Sequence, residues 1–157
     1  MALIADPPKP LRDVHLGGPL LAMARMFGAM RILGGLTLAT TYFQVWQVIA
    51  GVPWTGLQMA HGSPLPVFAA ACIAALGLYL LRSPSLSRGM ISAAGTIVLA
   101  FVIYRITHNT STADAKTIEL KGAQIFFGFT FIVLTFTGFA DLIFHPILYM
   151  WQRRADA

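Results

Sequence analysis

Charged residues are scarce in this chain: they make up 11% of its 157 residues, while 57% are hydrophobic. Ordinary soluble domains contain about 25% charged residues, so a globule folded in water is a poor fit to this composition. The single cysteine, Cys72, excludes an internal disulfide and a cysteine-based metal site. A chain this short also leaves no room for a separate soluble domain beside several membrane-spanning helices of about 20 residues each.

The signatures of several functional classes are missing as well. The formal charge is +5, but no basic run is interleaved with aromatic residues, so nucleic acid is not expected as a partner. We find no pair of acids, no Ser/His/Asp set on one side, no glycine loop for phosphate and no cofactor fingerprint. The sequence therefore predicts that the protein is not an enzyme and has no cofactor or metal.

The histidines give little support to haem binding. His61 and His108 fall on one side of the predicted membrane, and His15 and His145 on the other. A bis-histidine site needs two imidazoles on facing helices at one depth, but each of these pairs includes a loop or tail residue. A haem-bearing electron carrier therefore stays the weakest of three functional alternatives.

Long apolar runs dominate the rest of the chain. They predict an all-α polytopic membrane protein, built as an antiparallel bundle of four transmembrane helices. The predicted spans are about 32–50, 66–82, 89–107 and 123–149. The segment before the first span contains Arg25 and Arg31, and it predicts an interfacial helix, or the first turns of a long tilted one, whose arginines snorkel to headgroups.

Residues 1–18 differ from the rest. Pro7, Pro8 and Pro10 favour an extended chain, and no apolar block follows a positive start, so this segment predicts a flexible arm rather than a cleaved signal peptide. Residues 19–157 then form a single membrane domain.

The distribution of Lys and Arg predicts the orientation of that domain. Eight lie on the side that holds both termini and the turn near 82–88, and three lie on the other side. The positive-inside rule therefore places the arm and both termini in the cytoplasm. With eight Arg to three Lys and many alanines, the composition favours a bacterial inner membrane.

Polar side chains form one stripe on the predicted first span. The stripe consists of Thr37, Thr40, Thr41, Gln44 and Gln47, within an arc of about 120°. Amides that face lipid lack hydrogen-bond partners, so we expect the stripe to face protein or water. It favours interhelical hydrogen bonds, with a water-lined path as the alternative.

A second stripe lies on the predicted fourth span. It consists of Thr130, Thr137, Asp141 and His145. Asp141 is the only acid in any predicted span, and we place it about 8 Å inside the cytoplasmic edge of the hydrocarbon. A carboxylate costs about 2.5 to 3.5 kcal/mol at mid-bilayer and less near the edge, so it needs a partner. Protonated His145, an arginine such as Arg25 or Arg31, or a second polypeptide could supply one.

Two further features concern packing. Arg105, at the outer end of the third span, is expected to snorkel to headgroups; the alternative pairs it with Gln44, Gln47 and Gln124. The second and third spans are rich in Ala, Gly and Ser, which predicts close packing of these helices with each other or with a partner.

Together these patterns predict an accessory or structural integral membrane subunit of a larger inner-membrane complex, such as a respiratory, secretion or transport assembly. Its expected partners are the lipid bilayer and other membrane subunits or further copies of itself. The alternative is a small homo-oligomeric channel or transporter, in which Asp141 and the stripes of the first and fourth helices carry a cation or proton.

Overall fold

The computed structural model describes residues 18–108 and 118–155, and these residues are mostly helical. In chain order the elements are α1 (Gly18–Thr41), β1 (Val45–Ile49), β2 (Val52–Thr55), α2 (Gly56–Met59), α3 (Leu65–Arg82), α4 (Leu86–Thr107), β3 (Ile118–Leu120) and α5 (Gly122–Ala155). The expected N-terminal arm lies outside the described residues, apart from Gly18, with which α1 begins.

Four helices, α1, α3, α4 and α5, are long and apolar enough to cross a membrane. The bounds of α3, α4 and α5 agree closely with three of the predicted spans, and α5 continues through Pro146. The bounds predicted for the first span, 32–50, are wrong: α1 begins at Gly18 and ends at Thr41. The lead-in is the first part of this single helix, which is one of the two forms expected for it.

The chain leaves the helix after Thr41 because its residues there favour extended structure. β1 reads Val-Trp-Gln-Val-Ile, and β-branched and aromatic residues suit a pleated strand. Ala50 and Gly51 follow, both with positive φ, of 52° and 82°. Two such residues form the tight turn that matches the twist of a β-hairpin, so β1 folds back onto β2.

A small antiparallel sheet in the order β2-β1-β3 results. Gln47 of the central strand lies opposite Trp54 on one side and Leu120 on the other. The backbone N–H of Lys121 donates to the carbonyl of Trp46 at 2.8 Å, so the pairing continues to the start of α5. The fold is therefore mostly helical rather than all-α, and the sheet ties the segment after α1 to the last helix.

The long helices pack in a closed order, α1 on α3, α3 on α4, α4 on α5 and α5 on α1. Glycines set the closest approach, between α1 and α3. A Cβ atom on Gly35 would lie 2.6 Å from the carbonyl oxygen of Ala70, and one on Gly77 would lie 2.5 Å from that of Gly28. Such close contact of backbones is the main attraction between helices in lipid.

An aromatic cluster fills the core at the sheet end of the helices. The rings of Tyr42, Trp46 and Phe127 lie within 4.4 to 5.4 Å of one another, measured between centroids. The indole N–H of Trp46 donates to the carbonyl of Thr41 at 2.7 Å, and the Tyr42 and Thr107 hydroxyls are 2.8 Å apart. These bonds satisfy the polar atoms that the cluster buries.

Candidate functional site

Asp141 of α5 is fully buried against α1 and is paired with an arginine of the same chain. Nη2 of Arg31 donates to Oδ2 of Asp141 at 2.5 Å, and both side chains are 0% exposed. An arginine was one of the three partners expected for Asp141. The expectation that Arg31 snorkels to the headgroups is wrong, because its guanidinium turns into the interface between α1 and α5. Arg25, six residues earlier in the same helix, is exposed.

His145 holds the other oxygen of the same carboxylate. It lies one turn further along α5, and its Nδ1 is hydrogen-bonded to Oδ1 of Asp141. A carboxylate only accepts hydrogen bonds, so Nδ1 carries the proton. Because one oxygen faces Arg31 and the other faces His145, both predicted partners from this chain are used at once.

Each of the four long helices contributes to the surroundings of this network. A Cβ atom on Gly77 of α3 would lie 2.9 Å from Cβ of Arg31. One on Gly89 of α4 would lie 3.2 Å from Nε2 of His145 and 3.3 Å from its Cδ2 and Cε1. The two glycines thus leave the space that the arginine and the imidazole occupy.

Three polar atoms of the network have no hydrogen-bond partner among the described residues: Nε and Nη1 of Arg31 and Nε2 of His145. Guanidinium nitrogens only donate hydrogen bonds, and the guanidinium group carries a positive charge. The buried positive charge of Arg31 is therefore compensated by the carboxylate of Asp141. The packing of α1 on α5 is therefore sensitive to the loss of one charged member, because the other is then left buried and uncompensated.

Thr137 shares the face of α5 that carries Asp141 and His145, as predicted, and it is buried. Its hydroxyl donates to the carbonyl of Leu134 at 2.9 Å, within its own helix. Thr137 is therefore beside the network along the helix without being bonded to it.

The prediction of a single stripe through Gln47 on the first helix is wrong, because α1 ends at Thr41. Thr41 is buried and donates to the carbonyl of Leu38 at 2.8 Å, while Thr40 is exposed and donates to that of Thr37. Gln44 is exposed in the turn that follows the helix. Gln47 is buried in β1, and its Oε1 has no partner among the described residues.

Arg105 lies in the last turn of α4 and is exposed. Its neighbour Tyr104 stacks on His108, with 4.2 Å between ring centroids, so the rings of this helix end pack on each other. Gln44, one of the amides considered as a partner for Arg105, is exposed as well.

Within residues 18–108 and 118–155, no three His, Cys, Asp or Glu side chains come together in a way that could hold a metal ion. Sequence reasoning missed the aromatic cluster around Trp46. The signal that could have located it is the strand-forming run at 45–49, which we included in the first span. In comparisons with known proteins, no family model, no curated protein and no solved structure matches this chain.

Proposed function

We propose that the protein is an integral membrane subunit with a structural, non-enzymatic role in a larger inner-membrane assembly. In this proposal α1, α3, α4 and α5 cross the bilayer as an antiparallel bundle with both termini in the cytoplasm. Other subunits of the assembly, or further copies of the chain, pack against the outside of the bundle.

The observation that carries the proposal is the network of Arg31, Asp141 and His145. Asp141 is the only acid in the four long helices, and both of its oxygens bind cationic or donor groups of the same chain. All three side chains are 0% exposed. This arrangement supports a role of Asp141 in fixing α1 against α5, because removing one partner of a buried ion pair is strongly destabilising.

The outer surface of α3 supports helix packing with a partner. Gly77 and Ala70 of this helix are buried against α1, whereas Ala71, Cys72 and Ala75 are exposed. Small side chains let a second helix approach closely, and in lipid this approach is a main source of association.

The transport alternative has less support. A cation or proton path through Asp141 needs a carboxylate that water or the ion can reach. Asp141 is fully buried instead, and the polar stripe proposed to line such a path from α1 is interrupted at Thr41.

Substitution of Asp141 by Asn discriminates the two functions. If the protein is a structural subunit, Asp141→Asn leaves Arg31 without its counter-ion, loosens α1 from α5 and lowers the yield of co-purified partners. The double variant Arg31→Met with Asp141→Leu removes both charges and is the matched control, which should retain the partners. Ion or proton flux into vesicles containing the wild-type protein, abolished by Asp141→Asn with the partners still bound, would support transport and overturn the proposal.

A further inference from the structure

A pocket of about 340 Å³ lies between the C-terminal end of α4 and the first half of α5, beside β1. This volume is within the range of about 300 to 1,000 Å³ that is usual for small-molecule sites. Its walls are largely aromatic, and they include Trp46, Tyr104, Phe127 and Phe131. Arg31, Asp141 and His145 are not among the residues that line it, so this pocket is separate from the buried network.

Several rings around the pocket are close to parallel. Phe131 makes an angle of 18° with Phe127 and 26° with Tyr104, and Tyr104 makes an angle of 27° with His108. Aromatic faces attract other flat rings in offset stacks. The walls therefore favour a planar ligand over a branched or globular one.

Gln124 contributes a polar group to the wall of the pocket. It lines the pocket, and its Oε1 is buried without a hydrogen-bond partner among the described residues. A buried carbonyl oxygen without a donor is unfavourable, so a ligand that donates to it is favoured. The hydroxyl of Thr107, also in the lining, already donates to the carbonyl of Ile103 at 2.8 Å.

The pocket opens along the outer faces of the two helices. Tyr104 is 45% exposed and Ile132 is 66% exposed, and both line it. A Cβ atom on Gly128 would meet nothing within 4 Å, so the helix leaves free space there. Because α4 and α5 are both apolar enough to cross a membrane, a ligand at this opening would enter sideways from the bilayer.

We propose that this pocket binds the headgroup of a quinol. The planar ring stacks on the aromatic walls, a ring hydroxyl donates to Oε1 of Gln124, and the isoprenoid or alkyl tail leaves past Ile132 into the lipid. A quinol combines the three properties that the pocket selects: a flat apolar ring, a hydroxyl donor and solubility in the membrane. Binding here does not depend on the structural role proposed for the whole chain, and it involves no redox step.

The test uses fluorescence of Trp46 in the full chain, expressed and purified without other subunits in a mild detergent. Trp54 and Trp151, the other two tryptophans, are both exposed and are replaced by Phe, so that only the ring in the pocket emits. The probes are a benzoquinol with a decyl tail and its dimethyl ether, which has the same ring but no hydroxyl donor. We expect saturable quenching by the quinol and binding about ten-fold weaker for the ether, the usual value of one hydrogen bond to a buried group.

Two variants locate the ligand. Gly128→Leu fills the pocket and should weaken quinol binding at least about ten-fold, by steric exclusion. Gly122→Leu is the matched control, since a Cβ atom on Gly122 also meets nothing within 4 Å and that residue does not line the pocket. Gln124→Leu should remove the preference for the quinol over its ether.

No saturable quenching by the quinol, equal affinity for the ether, or equal binding by Gly128→Leu and Gly122→Leu would each overturn this assignment. These outcomes would leave the proposed structural role untouched, because that role is measured by co-purification of partners.

Discussion

Nη2 of Arg31 lies 2.5 Å from Oδ2 of Asp141, although 110 positions separate the two residues in the chain. The contact joins the first of the long helices to the last, in a place where neither side chain is exposed. His145 binds the second oxygen of the carboxylate, so a single acid holds two basic residues. The proposed structural role rests on this arrangement.

Removing one charge of the Arg31–Asp141 pair should lower the free energy of unfolding far more than removing both charges. Asp141→Leu leaves the Arg31 guanidinium buried and uncompensated, so we expect the free energy of unfolding to fall by about 3 to 5 kcal/mol. In the double variant Arg31→Met with Asp141→Leu, most of this loss should be recovered. Unfolding in mixed detergent micelles, followed by circular dichroism, measures both values. Equal destabilisation by the single and the double variant would show that the loss does not come from an uncompensated buried charge.

The close approach of α1 and α3 should depend on Gly35. Gly35→Ala places a methyl group 2.6 Å from the Ala70 carbonyl oxygen, and backbone cannot rotate away as a side chain can. We expect a loss of about 1 to 3 kcal/mol in the same unfolding assay. Gly128→Ala is the control: its Cβ meets nothing within 4 Å. Since alanine is the better helix former, that variant should be unchanged or more stable by about 0.5 to 1 kcal/mol.

The phenol of Tyr42 should titrate late, because its ring is buried. Burial raises the pKa of Tyr42 from 10.0 to about 12, against the opposing effect of its hydrogen bond to Thr107. Because the folded protein favours the neutral phenol, this contribution to stability is complete below pH 10 and is lost as the pH rises through about 12. The ultraviolet absorbance of the phenolate, followed as the pH is raised, should show one late step that Tyr42→Phe removes. A titration without this late step, or a late step that persists in Tyr42→Phe, would contradict the burial of this ring.

The exposed face of α3 carries small side chains. If a partner packs against this face, a larger side chain there should weaken binding of the partner. Ala75→Leu places a larger side chain on this face, so we expect several-fold less co-purified partner and an unchanged free energy of unfolding. Ala94→Leu on α4 is the matched control, because Ala94 is also an exposed alanine in a long helix. If both variants retained their partners equally, the contact would have to lie on another face of the protein.

Most of the helical part of the fold could be predicted from hydropathy alone. Leu65–Arg82 and Leu86–Thr107 agree with the predicted spans to within a few residues, because long uncharged runs admit few other structures. The start of α1 is harder to predict from the sequence. Arg25 and Arg31 interrupt its apolar pattern, and only the position of Asp141 on a distant helix explains why Arg31 can be inside the protein.

The sheet could not be predicted in the same way. The residues of β1, 45–49, are as hydrophobic as a span, and a short apolar run does not distinguish a strand from a buried helix. Ala50 has a positive φ in the turn that joins β1 to β2, but an alanine in the sequence does not indicate this conformation. The pairing with 118–120 depends on contacts between distant segments.

At the candidate site, the sequence identified the acid but left its partner open. Asp141 and His145 are one helical turn apart, so their contact follows from the spacing alone. The choice between Arg25 and Arg31 depends on which face of α1 packs on α5. Gly77 and Gly89, which make room for the arginine and the imidazole, act through space and have no recognisable spacing relative to them.

The most direct test of the structural role is the native mass of the wild-type protein after extraction in a mild detergent. We predict a stable complex in which this 17.0 kDa chain is bound to other membrane subunits or to further copies of itself. A lone monomer of 17.0 kDa that keeps its fold in the detergent would contradict it.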